Sequence, residues 1–292
     1  MSDQVTVARN QEFQAQVKHL LQQQGSRLRA AVENQTHGGR QAVALDQIGT
    51  VTAVEKQARH AELPVVNVPH ARRWVFPTRY EFRDFVDRAD TLRMLWEPGN
   101  KYAQAFSYAL GRAQDQKIIA AMTGTAVIGE TGDGTSTEAF DTTNCQIAAG
   151  GVGFTLDKLK QALQIQMSFN IDIANEARYV AVSSKQYQDF LKETQVTSGD
   201  YNRDYVLENG RLTQILGYRL IHTELLSVTA ASGGVRTCLV WVPSGVNFSS
   251  WEDVRTPIDW IPERQAWQVA ATGDFGATRL EQGRVISVLC QE

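Results

Sequence analysis

Residues 97–124 read EPGNKYAQAFSYALGRAQDQKIIAAMTG. Pro98 stands near the start, where a missing backbone N–H costs a helix little, and Thr123-Gly124 stops the pattern, so the stretch predicts a helix over 97–123. Tyr102, Ala105, Phe106, Ala109, Leu110 and Ala113 fall on one face, and Ile118, Ile119 and Met122 continue it. At about 1.5 Å per residue some 24 residues make a rod of roughly 36 Å, long for a globular helix, and that length suggests a spine.

Downstream, residues 124–153 are rich in Gly and Thr and read as a connector. A helix at 156–170, a strand at 178–183 and a short helix at 184–193 follow. Strand-like pieces at 219–223 and 237–242 flank the small-residue turn 229–234. Trp251, Trp260 and Trp267 then sit in alternating surroundings, and 285–290 is a final apolar strand. Helices and strands mix without a βαβ rhythm, which predicts an α+β fold. Upstream, between Gly38 and Arg93, the pattern is extended. Ile48, Val51 and Val54 alternate weakly, and Leu63-Pro64-Val65-Val66-Asn67-Val68-Pro69 carries two prolines that a central strand would not tolerate, so this region predicts a long hairpin or arm. It also holds Arg72, Arg73, Arg79, Arg83, Arg88 and Arg93 beside Glu81, Asp84, Asp87 and Asp90. A solvated face explains such charges, and so does a flap meeting a neighbour's opposite charges. From Asn10 to Glu33, Phe13, Val17, Leu20, Leu21, Leu28 and Val32 recur mostly at steps of three, four or seven, predicting an amphipathic helix interrupted near Gly25. Its narrow stripe fits either a surface helix or an arm lying on another subunit.

The formal net charge of −3 gives no global basic field, which argues against a dedicated nucleic-acid reader. Cys145, Cys238 and Cys290 are odd in number and widely spaced, and read as free thiols of a reducing cytoplasm. No signal-peptide pattern and no run of roughly 20 apolar residues is present, so no membrane partner is expected. Gly129-Glu-Thr-Gly132-Asp-Gly134-Thr135 has the small residues of a phosphate cradle. It lacks a following Lys-Ser/Thr, and Glu130 and Asp133 would repel phosphate, so a flexible loop is the better reading. The five histidines show no zinc spacing, and no G-x-S-x-G elbow occurs. His222 with Cys238 is the one thiol-site candidate, and it stands against an ordinary edge or core histidine.

The order of arm, extended flap, long helix and late strand-rich return resembles the Hong Kong 97-type major capsid proteins of tailed phages. Two passages sharpen the likeness. Glu208-Asn-Gly210-Arg-Leu-Thr-Gln-Ile-Leu-Gly217-Tyr-Arg-Leu-Ile-His-Thr223 is similar to the family's turn, apolar segment and strand entering the axial domain. Phe275-Gly276-Ala277-Thr278-Arg279 with Val285-Ile-Ser-Val-Leu-Cys290 is similar to its closing strands.

The resemblance implies an α+β capsid fold with an N-terminal arm (1–39), an extended flap or E-loop (40–83), a peripheral domain (84–153 and 245–275) containing the spine helix, and an axial domain (154–244 and 276–292). It further implies subunits that self-assemble as pentamers and hexamers into an icosahedral head shell around double-stranded DNA. No catalytic residue, metal or cofactor is implied. Expected partners are further copies of the chain, a portal, a separate scaffolding protein, a decoration protein, and packaged DNA through weak non-specific contact. The virion is the expected location, with assembly in the host cytoplasm. Inter-subunit contacts are assigned to Arg72, Arg73, Arg79 and Arg83 on the flap and to Phe13, Val17, Leu20 and Leu21 on the arm. Two expectations follow: glutamates at those four arginines block shells without unfolding the subunit, and loss of residues 1–33 leaves a foldable chain that assembles poorly. No scaffolding segment of about a hundred residues precedes the arm, hence a separate scaffold or none. Lys56 is the only lysine between residues 19 and 100, and the locking of flaps is taken as non-covalent. Two other classes share parts of this pattern: a protein compartment holding a cargo enzyme, and a cytosolic enzyme with a thiol or loop-based site around His222, Cys238 and the 129–135 loop.

Overall fold

The computed structural model describes residues 22–38, 42–56, 58, 59, 62, 65–87, 98–193, 196, 212–229 and 234–292. The chain divides into two compact units. The larger holds Arg27–Thr78, Ala113–Trp251 and Phe275–Glu292, and the smaller holds Arg79–Arg112, Glu252–Asp274 and the N-terminal segment as far as Ser26.

The larger unit is built on a seven-stranded mixed sheet. Strand β8 (Arg178–Val182) lies inside it, parallel to β10 (Tyr218–His222) and antiparallel to β12 (Val235–Trp241). β12 pairs in turn with β16 (Val285–Gln291), from Val235↔Gln291 to Trp241↔Val285. β7 (Gln146–Ile147), β9 (Gln214–Ile215) and β11 (Val228–Thr229) complete the sheet. Consecutive residues Val180, Ala181 and Val182, and Leu239, Val240 and Trp241, are all buried, so both faces are covered and the strands read as unbroken apolar runs. Helix α2 (Leu156–Ser168) packs on β16 and β7, and α3 (Ser184–Lys192) packs on β8. The absence of a βαβ rhythm expected from sequence is therefore only partly met. β8, α3 and β10 form one parallel crossover, hidden because residues 194–211 separate helix from strand.

One buried ammonium joins these layers. Lys158 of α2 has three donors, and its Nζ gives them to the carbonyls of Ala149 (2.8 Å), Val152 (3.0 Å) and Leu289 (2.8 Å). Burial holds its pKa below the usual lysine value.

Residues 22–33 are not helical as expected. Arg27 and Leu28 give their backbone N–H groups to the carboxylate of Asp115 (2.9 and 3.1 Å), a 3₁₀ turn covers Arg29–Ala31, and strand β1 (Glu33–Thr36) runs parallel to β13 (Val246–Arg255). A carboxylate that takes two successive amides removes them from helix bonding. Leu28, Ala31 and Val32 are core residues, and the Trp241 indole N–H donates to the Ala31 carbonyl (2.8 Å).

Helix α1 (Pro98–Thr123) matches the expected spine. Leu110, Ile118 and Met122 are fully buried, each contributing roughly 1.5–3 kcal/mol. Within the smaller unit Gly111 meets the backbone of Gly25 so closely that any side chain there would clash. Arg112 secures the same segment through Gln22 Oε1 (2.9 Å) and the Gln23 carbonyl (3.2 Å). Strands β4 (Thr78–Asp87) and β14 (Ile258–Ile261) both pair with β15 (Ala266–Arg279). Phe82 of β4 stacks on Phe106 of α1 with centroids 6.2 Å apart.

The expected 124–153 connector contains short strands: β5 (Ala126–Ile128) and β6 (Thr137–Glu138) pair with one another, and β5 also pairs with β3 (His70–Val75). Arg279, buried at the end of β15, closes this region. Its guanidinium donates to the carbonyls of Met122 (3.0 Å) and Gly124 (2.7 Å) at the end of α1 and to the Glu138 carbonyl (3.4 Å), and it lies over the Phe140 ring. A cation there satisfies carbonyls the helix leaves orphaned and opposes the negative end of its dipole.

Two outcomes test this packing. Arg279→Leu is expected to destabilise the unassembled subunit by about 3 kcal/mol in urea unfolding, because buried carbonyls lose a charged donor. Cys145, Cys238 and Cys290 are fully buried, and burial pushes the Cys145 thiol up to about 11 and Cys238 well above its ordinary value. None should react with a disulfide reagent at pH 8 in the folded protein, and all three should react on denaturation.

Candidate assembly surface

The extended region expected over 40–83 is a hairpin at its base. β2 (Val43–Ile48) pairs with β3 from Val43↔Val75 to Ile48↔His70, and Gly49 N–H donates to the Pro69 carbonyl (2.8 Å) beyond the last pair. From Gly49 to Pro69 the described residues form neither helix nor strand, so the expected long hairpin is paired only at its base, in keeping with prolines that a sheet interior would not tolerate. Leu63 and Pro64 lie outside the described residues.

The base is tied down by chemistry within the same unit. The Trp74 indole N–H donates to the Gly129 carbonyl (2.7 Å), and Gly132, at φ 66°, lies against the indole where any side chain would collide with it. That explains Gly132. The loop forms the turn between β5 and β6, with the Asp133 carboxylate accepting from Thr135 N–H (3.0 Å) and held below the usual carboxylate range by its bonds to Thr135. Its Asp133 carboxylate is thus turned on the loop itself, as in a structural turn.

The four flap arginines are divided by the fold. Arg73 is buried and paired with Glu138, and Arg72 is paired with Asp46, whose carboxyl it holds below its ordinary value. Arg79 is exposed beside Glu81, and Arg83 is exposed with its guanidinium 5.9 Å from the Phe85 ring, which Arg264 also approaches at 4.6 Å. Charge reversal at Arg73 would set two carboxylates together in a buried site, so the expectation that all four can be reversed without unfolding fails at that residue. The expected loss of 1–33 without unfolding fails likewise, since Leu28, Ala31 and Val32 are core. Phe13, Val17, Leu20 and Leu21, together with Arg88 and Arg93, lie outside the described residues.

Beyond its tied base the flap carries apolar side chains in water. Val65 is 94% and Ile48 72% exposed, and Val51, Val54, Val66 and Val68 are exposed as well. Exposed aliphatics gathered in one segment make it the candidate interaction surface. The sequence places these valines in a hairpin or arm, and they are not among the inter-subunit residues expected from it; the signal available was β-branched residues in a segment whose prolines forbid a sheet interior.

The thiol site does not form. His222 Nδ1 faces Arg27 Nη1 (3.1 Å), its Nε2 faces Glu224 Oε1 (3.1 Å), and β8 separates its strand from that of Cys238. Among the described residues no group of three His, Cys, Asp or Glu side chains is placed to hold a metal, and no helix is long and apolar enough to cross a membrane.

Comparison with known proteins agrees with a structural role. The chain is similar in fold to the capsid of the cyanophage P-SCSP1u, at 13% identity and a TM-score of 0.75, covering 98% of this chain and 94% of that one. It is similar to the acid-stable capsid of Helicobacter pylori bacteriophage KHP30, at 9% identity and a TM-score of 0.75, covering 99% and 97%. The capsid of Ralstonia phage GP4 gives 10% identity and a TM-score of 0.73, over 97% and 95%. The α+β capsid fold expected from the resemblance is thus the fold these chains share. No curated protein has a matching sequence. The family described as phage capsid protein matches residues 5–292, and the chain belongs to that family: it is a structural protein of the virion and not an enzyme.

Proposed function

We propose that copies of this chain polymerise as pentamers and hexamers into the icosahedral head shell of a tailed phage, closed around its double-stranded DNA. The observation that carries this reading is the match to the capsid family over residues 5–292, nearly the whole chain. Residues 154–244 and 276–292 act as the axial domain around each capsomer axis, 84–153 and 245–275 as the periphery, and 40–83 as a flap lying on the next subunit. Heterologous contacts between different patches of one chain close into rings, and many modest contacts sum to a stable shell. Arg79 and Arg83 present flap charge to neighbours, and Phe13, Val17, Leu20 and Leu21 form the arm's apolar stripe. A portal, a separate scaffolding protein and a decoration protein act as partners during and after assembly in the host cytoplasm. With a net charge of −3, contact with packaged DNA is weak and non-specific.

Sedimentation velocity of the purified protein, expressed with its neighbouring genes, tests the reading. Wild-type protein should sediment as shells or capsomers. Arg79→Glu with Arg83→Glu should fold with an unchanged circular-dichroism spectrum and remain small, since like charges across an interface suppress association. Removal of residues 1–21, which ends before the Arg27–Leu28 tie to Asp115, should likewise leave a folded subunit with impaired assembly. A wild-type chain that stays monomeric under all these conditions contradicts the proposal.

A further inference from the structure

Between the two arms of the flap lies an open cleft of about 540 Å³, lined by Val51 and Val54 from one arm and Val66 and Val68 from the other. Thr50, Thr52 and Asn67 supply its few polar groups, and none of the described residues lining it is charged. A site of this composition takes a large apolar side chain with one polar handle. In the smaller unit, β14 and β15 form a hairpin in which Trp260 and Trp267 are a cross-strand pair, centroids 5.3 Å apart and edge to face. Ile258 lies two residues from Trp260 on the same face of β14. Ile258 and Trp267 are both exposed, Trp267 by 41%. Other exposed aromatics match the cleft less well. Phe82 already stacks on Phe106, Phe169 lies over Gly283, and Phe76 has no donor for the Thr and Asn acceptors.

Resting on the shell reading above, we propose that Trp267 of one copy seats in the valine cleft of the flap of the next. Both surfaces are uncharged at their centres and belong to different parts of the same chain, so their union is a heterologous contact, the kind that propagates round a ring. Trp260 holds the Trp267 indole from the side, which lowers the entropy lost on docking. The indole N–H donates to a hydroxyl of Thr50 or Thr52 or to the Asn67 amide oxygen. Tryptophan in a pocket of aliphatics is the residue type and setting in which binding energy concentrates.

The test is a pair of cysteines, Val66→Cys with Trp267→Cys, in a chain whose three native thiols are buried and silent. Assembled particles are oxidised under mild conditions and run on a non-reducing gel. A ladder of covalent dimers, trimers and larger oligomers is expected, because each copy then carries one half of the pair at each surface. In parallel, Trp267→Ala should keep the melting temperature of the unassembled subunit while the assembled fraction at fixed concentration falls roughly tenfold or more, and Trp267→Phe, which keeps an aromatic face but has no N–H donor, should restore only part of it. Particles of the double-cysteine chain that yield only monomers, or Trp267→Ala subunits that assemble as well as wild type, overturn the contact and leave the shell reading standing. Wild-type protein that forms no particles at all contradicts the shell reading itself.

Discussion

A buried guanidinium ties three separate parts of the larger unit together. Arg279 donates to the carbonyls of Met122, Gly124 and Glu138, so the last residue of β15, the end of the long helix and the β5–β6 hairpin meet at one charge. Burial pushes the Arg279 pKa down and the nearby Arg73 guanidinium adds to that, while Glu138 opposes both. The cluster holds because each cation has an assigned acceptor: Arg279 has main-chain oxygens and Arg73 has the Glu138 carboxylate. Removing Glu138 would leave Arg73 buried without its carboxylate, and removing Arg279 would leave three carbonyls without their donor. The flap depends on it directly, since Arg73 lies in β3 and Glu138 in β6, on either side of β5.

The consequence is a division of labour along the flap. Its base is fixed by Trp74, Gly132 and Arg73, and its far part offers Val51, Val54, Val65, Val66 and Val68 to water. A rigid root and an apolar extension suit a contact that must reach a neighbour in one direction. In the proposed assembly, apolar area would give such a contact its strength, and exposed charges would bear on register more than on affinity. Capsid subunits use many such contacts, each modest, so that a closed shell is stable while single encounters remain reversible.

Much of this was legible in the sequence wherever the signal was local. The spine helix announced itself by Pro98, an apolar face and the Thr123-Gly124 stop, and the strands at 178–182 and 285–291 by short, mainly apolar runs. What was hidden was set at long range. The Asp115 carboxylate that strips Arg27 and Leu28 of helical bonding comes from 87 and 88 residues away, and no periodicity reveals it. Arg73 looked like its neighbours Arg72 and Arg79, and only the fold brings Glu138 to it. The Gly129–Thr135 motif resembled a ligand loop because glycines serve close approach in both settings; here the close partner is the Trp74 indole.

The central claim is that this chain works by covering its exposed apolar surfaces with other copies of itself. Cryo-electron microscopy of the protein expressed with its neighbouring genes tests it most directly. The account predicts closed icosahedral particles of pentamers and hexamers in which the flap valines, exposed in the single chain, lie against an adjacent subunit. A discrete monomer or dimer at every concentration, with those valines still in solvent, would contradict it.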